Sequence, residues 1–352
     1  MKLARNYTLV LGGGGMRGLA HVGVLAALEE KEFLPEDVVG SSVGALIAAA
    51  WCSGMPIDEM RHILADLRRS DLFQIAHRDM AMRRLRSPAL YRTEPLANFI
   101  NGLLGDLTFD ELNRPLLVNT VDINTGTQVF WGQKGLRDVP VADAVLASCA
   151  LPGFVAPHEI RGRYFVDGAA AANLPVHPGA RHDRDMVLAV DVGQRRRDQS
   201  RVQNEGFAAV YARAIEIAVK RMDETALRHW DRPALVLLRP EVWHISLLSF
   251  AHNAELVEAG YRAAKEWLDD PDALPVPGAT GIFPRRRFHV EVDRERCVGC
   301  GACVTLGPPG LFQHDGTGKV IITDAQPNWS PVDGFCVAQC PTGAITARPA
   351  EG

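Results

Sequence analysis

A serine between two glycines is the clearest candidate for chemistry in the first half of the chain. Residues 40–44 read G-S-S-V-G and fit the pattern G-x-S-x-G, in which the middle serine, Ser42, is a nucleophile. The pattern requires a sharp turn from a strand into a helix, because this turn lifts the hydroxyl out of the sheet. The flanking glycines tolerate the close backbone approach of such a turn. Five residues of this kind also occur by chance, so the neighbouring segments decide the interpretation.

A second glycine-rich segment, residues 12–18, reads G-G-G-G-M-R-G and lies between an apolar strand and a helix. Its backbone N–H groups could bind a dinucleotide, cradle a phosphate or form an oxyanion hole. A dinucleotide site expects an acidic residue after the next strand, where Gly40-Ser41-Ser42 stand, and a P-loop ends in G-K-[ST], which is absent from this segment. The sequence therefore favours an oxyanion hole.

A serine hydroxyl is a weak nucleophile until a base takes its proton. None of the eleven histidines stands at a sequence position that marks it as this base. Asp167 does stand out, because it ends an apolar strand and precedes a glycine in the segment V-D-G-A.

Five of the seven cysteines lie in the last 60 residues, as C-V-G-C-G-A-C at 297–303 and C-V-A-Q-C-P at 336–341. The N-terminal apolar run is too short for a signal peptide, so we expect a reducing cytoplasmic compartment in which thiols stay free. Closely spaced cysteines then indicate a metal site rather than disulfides. Cys52 and Cys149 are interpreted as ordinary buried or surface thiols.

Alternating strands and helices surround these motifs and predict an α/β fold with a mainly parallel sheet between helices. Strands are predicted at Tyr7–Leu11, at Val38–Val39, and at 115–121, 128–131, 186–192 and 234–238. Helices are predicted at 19–31, from Val43, at 206–230 and at 254–268, with a helical insertion at 58–104.

The insertion is rich in arginine and has two interpretations. Its cationic residues could contact anionic lipid headgroups, or they could form a solvated helix face, which is the commoner case. They are Arg68, Arg69, Arg83, Arg84 and Arg86.

Residues 7–270 resemble the patatin-like phospholipases, particularly the bacterial branch, which carry a G-G-G-x-[KR]-G loop, a G-x-S-x-G serine and the aspartate of D-G-[GA]. Residues 147–154, A-S-C-A-L-P-G-F, also resemble the segment that precedes the aspartate strand in this family. The resemblance implies a three-layer α/β/α sandwich and a Ser–Asp dyad of Ser42 and Asp167, without histidine. It also implies an oxyanion hole formed by Gly13, Gly14, Gly15, Arg17 and Gly18. The chain departs from the pattern in a fourth glycine of the loop, and it has Ala169 where some members of the family have glycine.

This resemblance implies hydrolysis of a lipid-like acyl ester, with Ser42 attacking the carbonyl and Asp167 accepting its proton. Arg17 has two interpretations, a contact to substrate phosphate or a structural partner that holds the loop through backbone carbonyls. A non-catalytic protein that binds acyl lipid and serves in electron transfer or as a scaffold is the alternative.

Residues 287–347 resemble a bacterial-type ferredoxin, in which C-x-x-C-x-x-C-x-x-x-C-P occurs twice. Here the first run reaches Gly307-Pro308 where Cys-Pro is expected, and the second run retains only Cys336 and Cys340. The resemblance implies one 4Fe-4S cluster held by Cys297, Cys300, Cys303 and Cys340, with Cys336 as a spare thiol. A zinc site is the alternative.

The sequence thus predicts two domains. Residues 1–284 form the hydrolase domain, with a proline- and glycine-rich linker at 269–284, and residues 285–352 form a small α+β iron–sulfur domain. The net charge of -4 lacks the excess positive charge that is typical of nucleic-acid-binding proteins. No apolar stretch approaches the roughly 20 residues of a membrane span. The expected partners are a lipid or acyl ester, a redox protein and, by peripheral contact, the inner face of a membrane.

Overall fold

The computed structural model describes residues 5–75, 89–180, 183–193, 206–270 and 273–350. Strands and helices alternate along the first of these ranges, as the hydrophobic pattern predicts. The strands of the larger domain are β1 (Tyr7–Leu11), β2 (Asp37–Ser41), β3 (Leu116–Asp122), β4 (Gln128–Trp131), β5 (His158–Ile160), β6 (Arg163–Asp167), β7 (Met186–Val190), β8 (Ala234–Leu238) and β9 (Ile282–Phe283). Its helices are α1 (Ala20–Glu30), α2 (Val43–Cys52), α3 (Ile57–Asp66), α4 (Arg69–Leu72), α5 (Glu94–Leu104), α6 (Val141–Ser148), α7 (Phe207–Arg228) and α8 (Asn253–Asp269).

These strands form one mixed sheet in the order β5-β6-β3-β2-β1-β7-β8-β9, with β4 also paired to β3. The pairs from β3 through β2, β1, β7 and β8 to β9 are parallel. Strands β4, β5 and β6 pair antiparallel at the other side of the sheet. The prediction of a mainly parallel sheet is confirmed. Its parallel centre places the carboxyl ends of β1, β2 and β7 along one edge, where ligands bind in open α/β sheets.

Alternating side chains of the central strands supply two separate cores. Leu9 and Val38 face one core with α1, α2 and α8, while Val10 and Val39 face the other with the C-terminal end of α7. Both faces of the sheet are therefore covered, which explains why the strands are apolar along their whole length. The architecture is the expected α/β/α sandwich.

The C-terminal domain has its own small core. Strands β10 (Arg286–Val292), β13 (Asn328–Trp329) and β14 (Ile345–Pro349) form a three-stranded sheet, and β11 (Phe312–His314) pairs with β12 (Val320–Ile322). Two short helices, α9 (Ala302–Leu306) and α10 (Phe335–Gln339), pack against each other. This arrangement is α+β.

Two further predictions concern the segments that flank the sheet. The segment predicted as a linker contributes β9, which extends the sheet beside β8 and is separated from β10 by two residues. In the arginine-rich insertion, Arg69 donates to the Tyr91 hydroxyl at 2.7 Å, whereas Arg83, Arg84 and Arg86 lie outside the described residues. Among the described residues, no helix combines the length and apolar character needed to cross a bilayer.

Candidate active site

Ser42 lies in the turn between β2 and α2, at the edge where the parallel strands end. Its backbone has φ 54° and ψ −130°, a conformation that a residue with a β-carbon rarely adopts. The glycines on either side permit the turn, because a β-carbon on Gly40 would lie 2.8 Å from the Ala45 nitrogen and one on Gly44 would lie 2.6 Å from the Gly12 oxygen. The strained turn is the geometry that exposes a nucleophilic serine.

The neighbouring Ser41 is a poor candidate for the same role. It is completely buried, and its hydroxyl accepts a hydrogen bond from Asn119 at 3.2 Å. Ser42 is partly exposed. Of the two serines in the motif, Ser42 is therefore the one that a substrate can reach.

Asp167 ends β6 opposite Thr120 of β3, and the adjacent residue Asn119 pairs with Ser41 at the end of β2, so this register places the carboxylate beside the Ser42 turn. Its side chain is only 2% exposed and is hydrogen-bonded to the Ser42 hydroxyl. The Ala169 N–H donates to Asp167 Oδ1 at 2.8 Å and fixes the orientation of the carboxylate. The structure thus places in contact the two residues that the sequence marks separately.

Burial raises the pKa of Asp167 to about 6, although the hydrogen bonds from Ser42 and from the Ala169 N–H oppose the rise. A carboxylate with this pKa is a stronger base than an exposed aspartate, yet it stays ionised at neutral pH. Its charge also raises the pKa of the buried Cys149 thiol, whose own burial is the larger cause.

We expect the pH profile to report this shift. If Asp167 must be ionised, kcat/KM for an uncharged ester should fall about tenfold per pH unit below pH 6, because the ionised fraction of Asp167 falls tenfold per unit. Stopped initial rates between pH 4.5 and 8, with circular dichroism at each pH to confirm folding, measure the limb. A profile that stays flat down to pH 4.5, as a base with the ordinary aspartate value of 3.8 would give, would contradict the buried-base assignment.

The glycine loop lies directly against the nucleophile, since a β-carbon on Gly13 would lie 3.2 Å from the Ser42 Cβ. The Gly13 N–H donates to the Asn173 oxygen at 3.0 Å. Gly14 and Gly15 stand at the beginning of a 3₁₀ helix, Gly15–Leu19, where N–H groups have no acceptor within the helix. Within the described part of the chain, the Gly14 and Gly15 N–H groups have no hydrogen-bond acceptor, unlike those of Gly12, Gly13 and Met16.

The two remaining residues of the predicted loop have structural contacts. The fully buried Arg17 donates through Nε to the Ile245 oxygen at 2.6 Å and through Nη2 to the Trp243 oxygen at 3.0 Å. These contacts support the interpretation of Arg17 as a structural partner of backbone carbonyls. Gly18 allows the loop to pack on α2, because a β-carbon there would collide with Val43.

Residues outside the motifs hold this site together. Ser148 accepts a hydrogen bond from the Ser42 N–H at 2.8 Å and donates to the Asn119 oxygen at 2.7 Å. The buried His21 lies behind the loop, with Nε2 2.8 Å from the Gly12 oxygen, and burial lowers its pKa to about 4. His21 contacts the loop's backbone, so it does not replace Asp167 as the base. Ser148 belongs to the family-like segment at 147–154, whereas His21 carries no sequence signal for its role.

The four cysteines predicted as cluster ligands line one cavity in the C-terminal domain, together with Val292, Val320 and Ile345. Among the residues that the structure describes, no three His, Cys, Asp or Glu side chains converge closely enough to hold a single metal ion. A zinc ion needs its ligands about 2.3 Å from one point, whereas a cubane is bound at four separate irons. Four thiols around an apolar cavity fit the cubane.

The backbone around this cavity supports thiolate ligands. Burial would raise the pKa of Cys340, but the Thr342 hydroxyl and the Ala344 N–H, which donates at 3.2 Å, hold it below its ordinary value. Gly299 has φ 69° and lies against the Gly318 oxygen, which leaves no room for a β-carbon. Cys336 is completely buried in the small core, where its Sγ lies 3.6 Å from the Asp333 oxygen.

Comparison with known proteins assigns both parts of the chain. The profile of the patatin-like phospholipase family matches residues 9–180, and that of the 4Fe-4S single cluster domain matches residues 290–347. The first match contains Ser42, Asp167 and the glycine loop, and the second contains the five C-terminal cysteines.

Curated relatives agree with the first assignment. An uncharacterized NTE family protein of Mycobacterium tuberculosis is 31% identical over 184 residues, covering 52% of this chain and 48% of the relative. A cGAMP-activated phospholipase of Escherichia coli is 28% identical over 213 residues, covering 54% of this chain and 60% of that protein. A lysophospholipase of Aspergillus fumigatus is 27% identical over 308 residues, covering 78% of this chain and 19% of that protein. The chain spans about half the length of the mycobacterial relatives.

Among solved structures, VipD from Legionella pneumophila aligns over 75% of this chain and 67% of its own, with a TM-score of 0.43 and 16% identity. The type III effector ExoU aligns over 74% of this chain and 52% of its own, with a TM-score of 0.39 and 17% identity. From the two profile matches and the fold, the chain carries a patatin-like phospholipase domain followed by a 4Fe-4S single cluster domain.

Proposed function

We propose that this protein is a serine lipid acyl hydrolase, a phospholipase or esterase that uses Ser42 and Asp167 as a catalytic dyad. The observation that carries the proposal is the hydrogen bond between the Ser42 hydroxyl and the buried Asp167 carboxylate, beside a glycine loop with free N–H positions. A nucleophile, its base and oxyanion donors at one edge of a sheet are the parts that acyl transfer requires.

The reaction follows from these contacts. Ser42 Oγ attacks the ester carbonyl carbon while Asp167 takes the hydroxyl proton, and the carbonyl oxygen becomes an oxyanion. Collapse of this intermediate breaks the bond to the alcohol, which leaves with the proton from Asp167. Water then gives a proton to Asp167 and attacks the carbonyl of the acyl–Ser42 ester. The bond to Ser42 Oγ breaks, Asp167 returns the proton to Oγ, and the carboxylic acid is released.

The glycine loop supplies the electrostatic part of the proposal. The developing negative charge on the carbonyl oxygen is stabilised by the N–H groups of Gly14 and Gly15, at the beginning of the 3₁₀ helix. Gly13 keeps the loop close to Ser42, and Arg17 and Gly18 hold it in place from behind. One such donor contributes about 10²–10³-fold to kcat in comparable hydrolases.

A lipid substrate lies in a membrane, so peripheral contact is part of the proposal. Helix α7 exposes five large apolar side chains, each 38–59% accessible, namely Val210, Tyr211, Ile215, Ile217 and Met222. At 3.6 residues per turn they share an arc of about 160°, whereas Asp223 lies on the opposite side and faces the protein. The same arc holds Arg221 and Arg228 near the C-terminal end of the helix, and an apolar face combined with basic side chains suits the interfacial region of a bilayer. We place this contact on the cytoplasmic side, where free thiols persist.

The test uses phospholipid vesicles and a short-chain p-nitrophenyl ester in parallel. Wild type should release fatty acid from the vesicles, and Ile215→Glu should lower that release about tenfold or more, because a buried isoleucine contributes roughly 1.5–3 kcal/mol to such contact. Hydrolysis of the short ester should stay unchanged, and Glu216→Gln, on the polar side of α7, should behave as wild type in both assays. Wild type that hydrolyses neither substrate would contradict the hydrolase, and equal loss in both assays would contradict the membrane face.

For the C-terminal domain we propose one 4Fe-4S cluster held by Cys297, Cys300, Cys303 and Cys340. When bound, the cluster supplies one-electron redox chemistry, and its role is electron transfer to a redox partner protein, redox sensing or docking. The four thiols around one cavity support this ligand set, and Cys336 is not among the described residues that line this cavity, which supports its role as a spare thiol.

Iron content tests the ligand assignment. Anaerobically purified protein should contain about four irons per chain, and Cys340→Ser should lose or weaken the cluster because it removes a ligand. Cys336→Ser is the matched control and should keep both the iron and the visible absorption. About eight irons per chain, or loss of the cluster in Cys336→Ser alone, would show that the ligands are assigned wrongly.

A further inference from the structure

Asp223, on helix α7, binds the segment that follows the catalytic aspartate. Its Oδ1 atom accepts hydrogen bonds from the N–H groups of Asn173 and Leu174, both at 3.1 Å. Burial raises the pKa of Asp223 to about 7, with the two N–H donors opposing the rise and the nearby Asp191 adding to it. A carboxylate that accepts two backbone donors in a partly buried place fixes the position of those residues.

Asn173 in turn holds the glycine loop by two hydrogen bonds. Its backbone oxygen accepts from the Gly13 N–H at 3.0 Å, and its Nδ2 donates to the Gly13 oxygen at 3.1 Å. Gly13 packs on Ser42 and precedes the two glycines with free N–H positions. The chain of contacts therefore runs from Asp223 through Asn173 to the proposed oxyanion hole.

The iron–sulfur domain contacts the same helix. The guanidinium carbon of Arg228 lies 3.7 Å from the centre of the Phe335 ring, and that of Arg221 lies 4.9 Å from it. Arg221 also donates to the Gln339 side chain. Phe335 begins α10 and Gln339 ends it, directly before the proposed ligand Cys340. A second contact joins the domains, because Arg239 donates to the Pro331 oxygen at 2.8 Å and to Asp191 Oδ2 at 3.2 Å.

Arg221 and Arg228, which contact the iron–sulfur domain, therefore lie within one to two helical turns of Asp223 on α7. We propose that Asp223 is a positioning residue for the oxyanion loop and that the iron–sulfur domain, seated on α7 through Phe335, stabilises this arrangement. The inference rests on the proposed hydrolase function and adds a structural role for the C-terminal domain within the same chain.

Side-chain substitutions at position 223 separate positioning from general stability. Asp223→Ala removes the acceptor of both hydrogen bonds, so kcat for a p-nitrophenyl ester should fall about tenfold or more while KM changes by less than about twofold, because oxyanion contacts form in the transition state. Asp223→Asn keeps an Oδ1 acceptor and should retain most of kcat. Glu216→Ala on the same helix is the control. Equal kcat in the alanine and asparagine variants, or a change confined to KM, would overturn the positioning role.

Hydrogen–deuterium exchange tests, without relying on activity, whether the contact of the iron–sulfur domain with α7 stabilises the glycine loop. In holoprotein, Arg228→Gln should speed exchange of the Gly13 and Asn173 amides severalfold while iron content stays at the wild-type level, since the cation leaves the Phe335 ring. Arg262→Gln, on α8, is the matched control. Asp223→Ala should speed exchange of the same amides. Unchanged exchange in both variants would overturn the inference even if the protein hydrolyses esters, and faster exchange would uphold the contacts even if it hydrolyses none.

Discussion

Replacing Ser42 by alanine is expected to lower kcat for ester hydrolysis by about 10⁴-fold or more, because the change removes the atom that attacks the carbonyl. The residual rate should come from the oxyanion donors and substrate binding, which survive the substitution. The fold should also survive, since the Ser42 N–H that binds Ser148 belongs to the backbone. Initial rates with a p-nitrophenyl ester and the thermal midpoint of unfolding measure both expectations.

The matched control is Ser53→Ala, a serine just beyond α2 whose hydroxyl donates to the Ala50 oxygen at 2.7 Å. It should hydrolyse the ester at the wild-type rate. If Ser42→Ala hydrolysed as fast as this control, catalysis by Ser42 would be ruled out. The alternative of a protein that binds acyl lipid without turnover would then gain support only if wild type were inactive as well.

Replacing Asp167 by asparagine is expected to lower kcat by about 10³–10⁴-fold, because an amide of nearly the same shape cannot accept the serine proton. The substitution should not destabilise the protein at neutral pH. Burial raises the pKa of Asp167 from 3.8 to about 6 in the folded state, so the protein loses stability as the pH rises between these two values and carries the full cost of ionisation at neutral pH. A neutral asparagine avoids that cost, and the thermal midpoint at pH 7.5 should be equal or higher.

Asp110→Asn provides the control, because Asp110 forms an exposed ion pair with Arg137 on the surface. Its rate should match wild type. Retention of more than a few percent of activity in Asp167→Asn would require another base. His21 would be the first residue to examine, although its contact is with the Gly12 oxygen.

The sequence predicted the layers of the fold and marked Ser42 and Asp167, the two residues of the proposed dyad, because these depend on local patterns. Apolar strands buried on both faces read as continuous hydrophobic runs, and a nucleophile turn needs glycines at fixed offsets. The position of Asp167 was readable for the same reason, since an aspartate before a glycine at the end of an apolar strand is a local signal. The cysteine spacing likewise predicted the single-cluster domain.

Contacts between residues that lie far apart in the sequence could not be predicted in this way. Asn173 and Asp223 lie 50 positions apart and meet only because α7 covers the second face of the sheet. The glycine loop offered seven residues without showing which N–H groups are used internally, and the structure assigns the Gly13 N–H to Asn173. The role of Arg17 depended on carbonyls more than 200 positions away. Such contacts are set by tertiary packing, which no local pattern records.

Labelling with an alkyl fluorophosphonate tests the central claim most directly, because this reagent forms a stable adduct only with an activated serine. We expect one adduct per chain, located by peptide mass spectrometry on Ser42, with hydrolysis lost in proportion to labelling. Asp167→Asn should label far more slowly, because its serine lacks a base. An adduct on another serine, or full hydrolysis by protein whose Ser42 is completely labelled, would contradict the Ser42–Asp167 dyad.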